Sequence, residues 1–133
     1  LAVSRFALPV YEIYKAGADL HWVDGLDLLG TLGFTLAIVP HWNNREGGEE
    51  LDTSRCFMGQ ERFAQLVRLL PPETTILGLD EHTACLLDFI EGTGRVLGAG
   101  TVTITARGQA RTFRHGERFP LALFGSIAAA QGF

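Results

Sequence analysis

His41 is the residue of this chain best placed to move a proton. It follows the aliphatic run Phe34-Thr35-Leu36-Ala37-Ile38-Val39 and Pro40, so it emerges where a buried strand ends. Open α/β sheets build their sites at the carboxyl ends of their strands. An imidazole titrates near neutrality and suits general-base work there. Trp42, Asn43 and Asn44 come next, an aromatic wall and two amides able to hydrogen-bond a ligand. In a purely structural role the same histidine would cap the loop that starts at this point. His21 beside Trp22, His82 in a polar turn and His115 in a basic turn have settings that favour loop or surface positions.

A general-base histidine needs a carboxylate to orient it and a nucleophile to deprotonate. Glu12 lies in the otherwise apolar stretch Tyr11-Glu12-Ile13-Tyr14-Lys15, where a carboxylate pairs either with a histidine or with a lysine or arginine. Asp19, Asp24 and Asp27 are rivals, but their loop setting suits turns and caps. Nucleophiles are scarce. The serines are Ser4, Ser54 and Ser126, and none has the Gly-x-Ser-x-Gly context of a nucleophile elbow. Cys56 has Arg55 beside it, which favours a thiolate, yet it sits in a long loop and not at a helix N-terminus. A metal set of His21, Asp24, His41 and His82 lacks any HxH or HExxH spacing, and no Walker or GxGxxG loop is present. Neither metal nor cofactor is expected.

These residues must be positioned by a small set of elements. Residues 1–8 read as an apolar helix that stops before Pro9. Pro9 to Ala16 reads as a second helical piece ended by Gly17, and Asp19 to Gly33 as loop. Phe34 to Val39 is a buried strand, and His41 to Met58 is a long polar loop of the kind that carries function. Gly59 to Leu70 places Phe63, Leu66, Val67 and Leu70 on one helical stripe, ended by Pro71-Pro72. Thr74 to Leu79 is a second buried strand, followed by the polar turn Asp80-Glu81-His82. Thr83 to Phe89, Arg95 to Leu97, Thr101 to Ala106 and Ala110 to Phe113 are short strands joined by glycine turns, an antiparallel meander. The fold class is therefore α/β with an antiparallel C-terminal extension.

The chain has 133 residues, 47% of them hydrophobic and 20% charged, which suits a single packed α/β domain, residues 1–133. The net charge of −4 without a basic cluster speaks against a nucleic-acid partner. No run approaches the roughly 20 apolar residues that span a bilayer, so no membrane partner is expected. Cys56 and Cys85, with no signal-peptide pattern, read as free thiols of a reducing compartment, hence a cytoplasmic location. The apolar stretch Phe119 to Phe133 reads as a partly packed tail. Leu1 to Leu8 is apolar with no capping lead-in, so the chain is expected to begin inside something larger.

Taken in order, four segments resemble the second half of the serine peptidases that include cyanophycinase and aspartyl dipeptidase. They are Pro40-His41-Trp42-Asn43-Asn44, Gly59-Gln60-Glu61-Arg62-Phe63, Ile76-Leu77-Gly78-Leu79-Asp80-Glu81-His82-Thr83-Ala84 and Val96-Leu97-Gly98-Ala99-Gly100. The resemblance runs from about Leu1 to Glu117. It implies a class I glutamine amidotransferase-like fold, a three-layer, mostly parallel, flavodoxin-like sheet flanked by helices and here incomplete. It also implies a Ser–His–acid triad acting on a peptide or small amide. His41 takes the histidine position, and the catalytic serine falls upstream of Leu1. Glu12 falls near the triad acid, while Glu81 and Thr83 match a site-shaping Asp-Glu-x-Thr-Ala turn. The loop Arg45 to Asp52 departs from the family pattern, which bears on substrate preference. A non-catalytic amidotransferase-like module that binds a small ligand or partner protein is the alternative; cysteine at the upstream elbow would instead mark a glutaminase-type partner. With the first half of such a domain missing, the strand Thr35 to Val39 and the helix at residues 1–8 are expected to expose apolar surface. That exposure favours a homo-oligomer or association with the N-terminal portion.

Overall fold

Alternation of side chains along two central strands sets the layers of this protein. The computed structural model describes residues 3–125. Strands β3 (Leu36–Val39) and β4 (Thr75–Leu79) run parallel, with Ala37 opposite Ile76 and Val39 opposite Gly78. Leu36, Ile38 and Leu77 point into one apolar cluster; Ala37, Val39 and Ile76 point into another on the opposite face, as the two-residue strand period requires. Helix α1 (Gly59–Arg68) covers the second face through Phe63 and Leu66. Leu70 joins them, while Val67 is left at the exposed margin of the stripe.

Around this parallel pair the main sheet has six strands in the order β2-β1-β3-β4-β7-β8. Here β1 is Phe6–Ala7, β2 Val23–Asp24, β7 Thr101–Ala106 and β8 Gln109–Arg114. The short β1 is parallel to β3, whereas β2, β7 and β8 each pair antiparallel. A second sheet, β5 (Thr83–Asp88), β6 (Thr93–Gly98) and β9 (Arg118–Pro120), is wholly antiparallel. It contributes Val96 and Phe119 to the cluster on the far face of the main sheet. Phe119, Phe113, Phe34 and Phe124 meet there at centroid separations of 5.1–5.7 Å.

The fold is thus mixed α/β, rich in strand and poor in helix, and its pairings are largely antiparallel. The mostly parallel, helix-flanked sheet expected from the sequence is corrected on this point. β5 and β6, and β7 and β8, are joined by turns too short for the dozen or more residues of a parallel crossover and pair antiparallel, while β7 returns antiparallel onto β4 after the β5–β6 hairpin. The expected meander is also split, because the chain changes sheets between β6 and β7. Among the described residues, the segment before Pro9 forms β1 and no helix. Pro9 to Ala16 yields only the π-helical turn Tyr11–Lys15. Residues 121–124 make a 3₁₀ turn whose Leu121 and Phe124 are buried; residues 126–133 lie outside the described residues, as does Ser126. β3 is buried along its whole length between β1 and β4, so the apolar surface expected there is covered within this chain. No helix among the described residues is long and apolar enough to cross a membrane.

Candidate active site

Because β3 and β4 run parallel in register, the residues just past their ends lie side by side. His41 follows β3 and Glu81 follows β4. His41 Nδ1 is hydrogen-bonded to Glu81 Oε1. The other oxygen, Oε2, accepts a hydrogen bond from Asn44 Nδ2 at 3.2 Å, and the Glu81 backbone N–H donates to Asn43 Oδ1 at 2.7 Å. Asn44 therefore acts on the carboxylate and Asn43 on the backbone of Glu81. Asn44 is itself buried, and its Oδ1 accepts the Glu46 N–H at 3.0 Å. Partial burial pushes the Glu81 carboxyl up, but the hydrogen bond and charge of His41, the Asn44 amide and the charge of His82 outweigh it. The net effect holds Glu81 below the ordinary carboxylate range, ionised at neutral pH.

The turn that presents Glu81 is fastened from below. Asp80 Oδ2 accepts the Thr101 N–H and hydroxyl, each at 2.8 Å. Thr83 Oγ1 donates to the Glu81 carbonyl at 2.9 Å and accepts the Gly100 N–H at 2.9 Å. Thr83 is thus a strut of the turn. Gly100 is required here, since a Cβ would run into Asp80 and the Thr83 hydroxyl.

The loop that presents His41 folds back on itself. The His41 carbonyl accepts the N–H groups of Asn44 and Cys56, and the Trp42 carbonyl accepts that of Arg55. Trp42 is only 9% exposed, edge-on to Phe63 and over Gly78, whose missing side chain leaves room for the indole. The Arg55 guanidinium lies 4.2 Å from the Trp42 ring centre. So Trp42 is a buried foundation with a cation on its face, not an open aromatic wall. His41 itself has φ 51°, and Arg55, Cys56 and Phe57 form a run of left-handed residues at φ 55°, 57° and 70°. The Phe57 ring lies 5.4 Å from the imidazole, and Tyr14 lies 5.4 Å from Phe57. Asp52 anchors the far end, accepting the Gln60 N–H of α1 at 2.8 Å and the Ser54 hydroxyl at 2.6 Å.

Glu12 is exposed on the π-helical turn, and the carboxylate bonded to His41 is Glu81. Of the two residues that the resemblance cast as orienter and site-shaper, it is the second, Glu81, that is bonded to the histidine. The signal for Glu81 was present in the sequence as two buried strands, each ending in a polar turn; it becomes a pairing only once those strands are neighbours in register. Arg55, Phe57 and Tyr14 had no signal of this kind. Burial pushes the Cys56 thiol up to about 11, so it is a neutral thiol at pH 7. Ser54 is engaged with Asp52 and Ser4 is buried. His21 Nδ1 is bonded to the Asp19 carbonyl at 2.7 Å, and the Gly98 N–H donates to His115 Nδ1 at 3.0 Å. Among the described residues no group of His, Cys, Asp and Glu is arranged to hold a metal.

With Nδ1 tied to an ionised carboxylate, the Nε2 nitrogen of a half-exposed His41 is left to accept a proton from a group outside the dyad. A pocket of about 420 Å³ opens within the loop that follows His41, lined by Asn43, Asn44, Arg45, Glu49, Ser54 and Arg55 among others, and neither His41 nor Glu81 belongs to its lining. Both asparagines line the pocket, and Asn44 alone of the two bonds the carboxylate.

No protein-family model matches the chain, and no curated protein matches it in sequence. In architecture it is similar to a peptidase from an acI-B1 Actinobacterium, known from a crystal structure. The TM-score is 0.56 and the identity 15%, over 90% of this chain and 41% of that one. The chain thus spans about two fifths of the length of that protein, and at this identity the likeness is one of fold.

Proposed function

We propose that this chain carries the general-base part of a serine-type hydrolase acting on a peptide or small amide. Its nucleophile would come from residues outside positions 1–133. The observation that carries this reading is the His41–Glu81 dyad, with Nδ1 held by an ionised carboxylate and Nε2 left to work. In that role His41 Nε2 takes the proton of the attacking hydroxyl and then hands it to the leaving amine, while Glu81 stabilises the imidazolium between the two steps. Glu81 keeps the imidazole in one tautomer; Asn43 and Asn44 keep Glu81 in place. The peptidase-like fold supports the reading, as does the similarity of the His41 and Glu81 segments to cyanophycinase and aspartyl dipeptidase. The parallel pair β3 and β4 with α1 is the part of the molecule that fits an amidotransferase-like sheet. Glu12 is left without a role in proton transfer.

The test is fluorophosphonate labelling of the full-length parent protein. Labelling is expected in the wild type, strongly reduced in His41→Ala and Glu81→Ala, and unchanged in Glu12→Gln. No labelling, or labelling indifferent to His41→Ala, overturns the reading and leaves a non-catalytic binding module.

A further inference from the structure

Each of the two sheets ends in two edge strands, and three of these four edges are blunted. In the main sheet, β2 is two residues long and β8 carries Arg111 and Arg114. In the second sheet, β9 has three residues, Arg118 and Pro120 among them. Short length, charge and proline are the usual means by which an edge avoids pairing with another chain. β5 has none of them. It runs six residues, Thr83-Ala84-Cys85-Leu86-Leu87-Asp88, with no charge or proline before Asp88, and its unbroken register with β6 leaves no bulge to turn it away. Its other side pairs with no strand among the described residues. In an antiparallel ladder every second residue of such an edge presents its N–H and C=O outward.

The side chains agree with the backbone. Leu86 is 55% exposed, and the turn that follows β5 carries Phe89 and Ile90 at 51% and 97%. Three large apolar side chains of one hairpin thus stand in water, a grouping that marks an interaction surface.

The charges of this segment decide what fits it. Residues directly opposite each other across a sheet share a face, so two copies of β5 joined antiparallel about a two-fold axis must centre on a residue. With Cys85 on the axis, Ala84 faces the partner's Leu86, and His82 faces the partner's Asp88, an imidazole against a carboxylate at both symmetry-related points. Centring on Leu86 sets Glu81 against the partner's Glu91, and centring on Ala84 sets Asp80 against the partner's Asp88. Like charges directly opposite each other destabilise a sheet. One register is therefore complementary to itself, and its two neighbours repel.

We propose that β5 is a self-pairing surface through which two copies of this protein form a two-fold dimer in the register centred on Cys85. The second sheet of each copy then continues into that of the other, an isologous contact. Followed beyond the strand, the same register brings the partner's Phe89 and Ile90 to the Asp80-Glu81 turn, so the hairpin tip of one copy lies by the dyad of the other. The proposal stands whether or not the chain is part of a hydrolase.

The test is sedimentation velocity on the full-length parent protein, with near-ultraviolet circular dichroism to confirm the fold of each variant. The wild type is expected to be a dimer that dissociates on dilution. Leu86→Lys changes an exposed position and should weaken the dimer about tenfold. His82→Asp keeps a residue suited to φ 54° and sets a carboxylate against Asp88 at two points, which should also cost about tenfold. The register is read by Ala84→Cys and Leu86→Cys, each combined with Cys85→Ala. Directly opposite Cβ atoms lie about 5 Å apart and diagonal ones about 7–8 Å, so mild oxidation should cross-link a mixture of the two variants much faster than either alone. A monomeric wild type, a dimer indifferent to both Leu86→Lys and His82→Asp, or cross-linking no faster in the mixture overturns the proposal.

Discussion

The loops that follow β3 and β4 and the hairpins of the second sheet hold their shapes by opposite means. In the hairpins, turn positions with positive φ go to Gly92, Gly98 and Gly116, and the strands between them alternate regularly. In the loops, ordinary side chains occupy the left-handed region. Of seven non-glycine residues with positive φ among the described residues, five are His41, Arg55, Cys56, Phe57 and His82. Such a residue raises the energy by about 1–2 kcal/mol, and it persists only where its surroundings over-determine it. Here the surroundings are the Trp42 foundation, the Asp52 anchor and the two asparagines on Glu81. Strain concentrates where a histidine and a carboxylate must meet at a fixed angle, and the hairpins, which only close a core, carry little of it.

Removing the foundation of each region is the harshest way to break this contrast. Trp42→Ala and Phe119→Ala should each cost about 3–5 kcal/mol, as large aromatic truncations in a core do. Their consequences differ: Trp42→Ala should also release His41 from Glu81, seen as a change in the imidazole nitrogen shifts, whereas Phe119→Ala should leave those shifts in place. Gly78→Ala drives a methyl into the Trp42 ring and should cost about 1–3 kcal/mol by overpacking, measured by urea unfolding. Asp52→Ala removes the acceptor of the Gln60 N–H and should lose about 1 kcal/mol, the usual value of a helix cap.

Smaller effects sharpen the comparison. Glu81 is held below its ordinary value in the folded state, so the unfolded chain binds its proton more readily. Its contribution to stability is complete above about pH 4.3, the unfolded value, and is lost as pH falls through the folded one. Glu81→Gln should therefore flatten the fall of the urea midpoint with pH below about 4.3; an unchanged slope would show the carboxylate free of His41. His82 is exposed at φ 54° with its ring outside the dyad. His82→Gly should stabilise by about 0.5 kcal/mol, the relief of a left-handed residue less the entropy of glycine. No comparable gain is expected at a hairpin turn that already has glycine.

Much of the secondary structure was legible from residue pattern. β3, α1, β4 and the hairpin strands stand close to where their apolar periods and glycine turns place them, because these signals are local. The errors fall where local signals are weak. Residues 3–8 have the apolar character of a helix but make the two-residue strand β1, since an edge of the main sheet was open beside β3. β2 and β9 are two and three residues long, too short to show a period, and exist by pairing with a neighbour.

By itself the sequence determined that His41 stands at the end of a buried strand, that a polar turn containing Glu81 ends another, and that the core is built from alternating apolar residues. Only the tertiary structure decided that these two strands are adjacent and parallel, which brings Glu81 and not Glu12 to the imidazole. Only it decided that the face of the main sheet opposite α1 is closed by another sheet. The physical reason is the same in both cases. Periodicity and turn chemistry act over a few residues, whereas strand order and the meeting of side chains 40 positions apart depend on how whole faces bury one another.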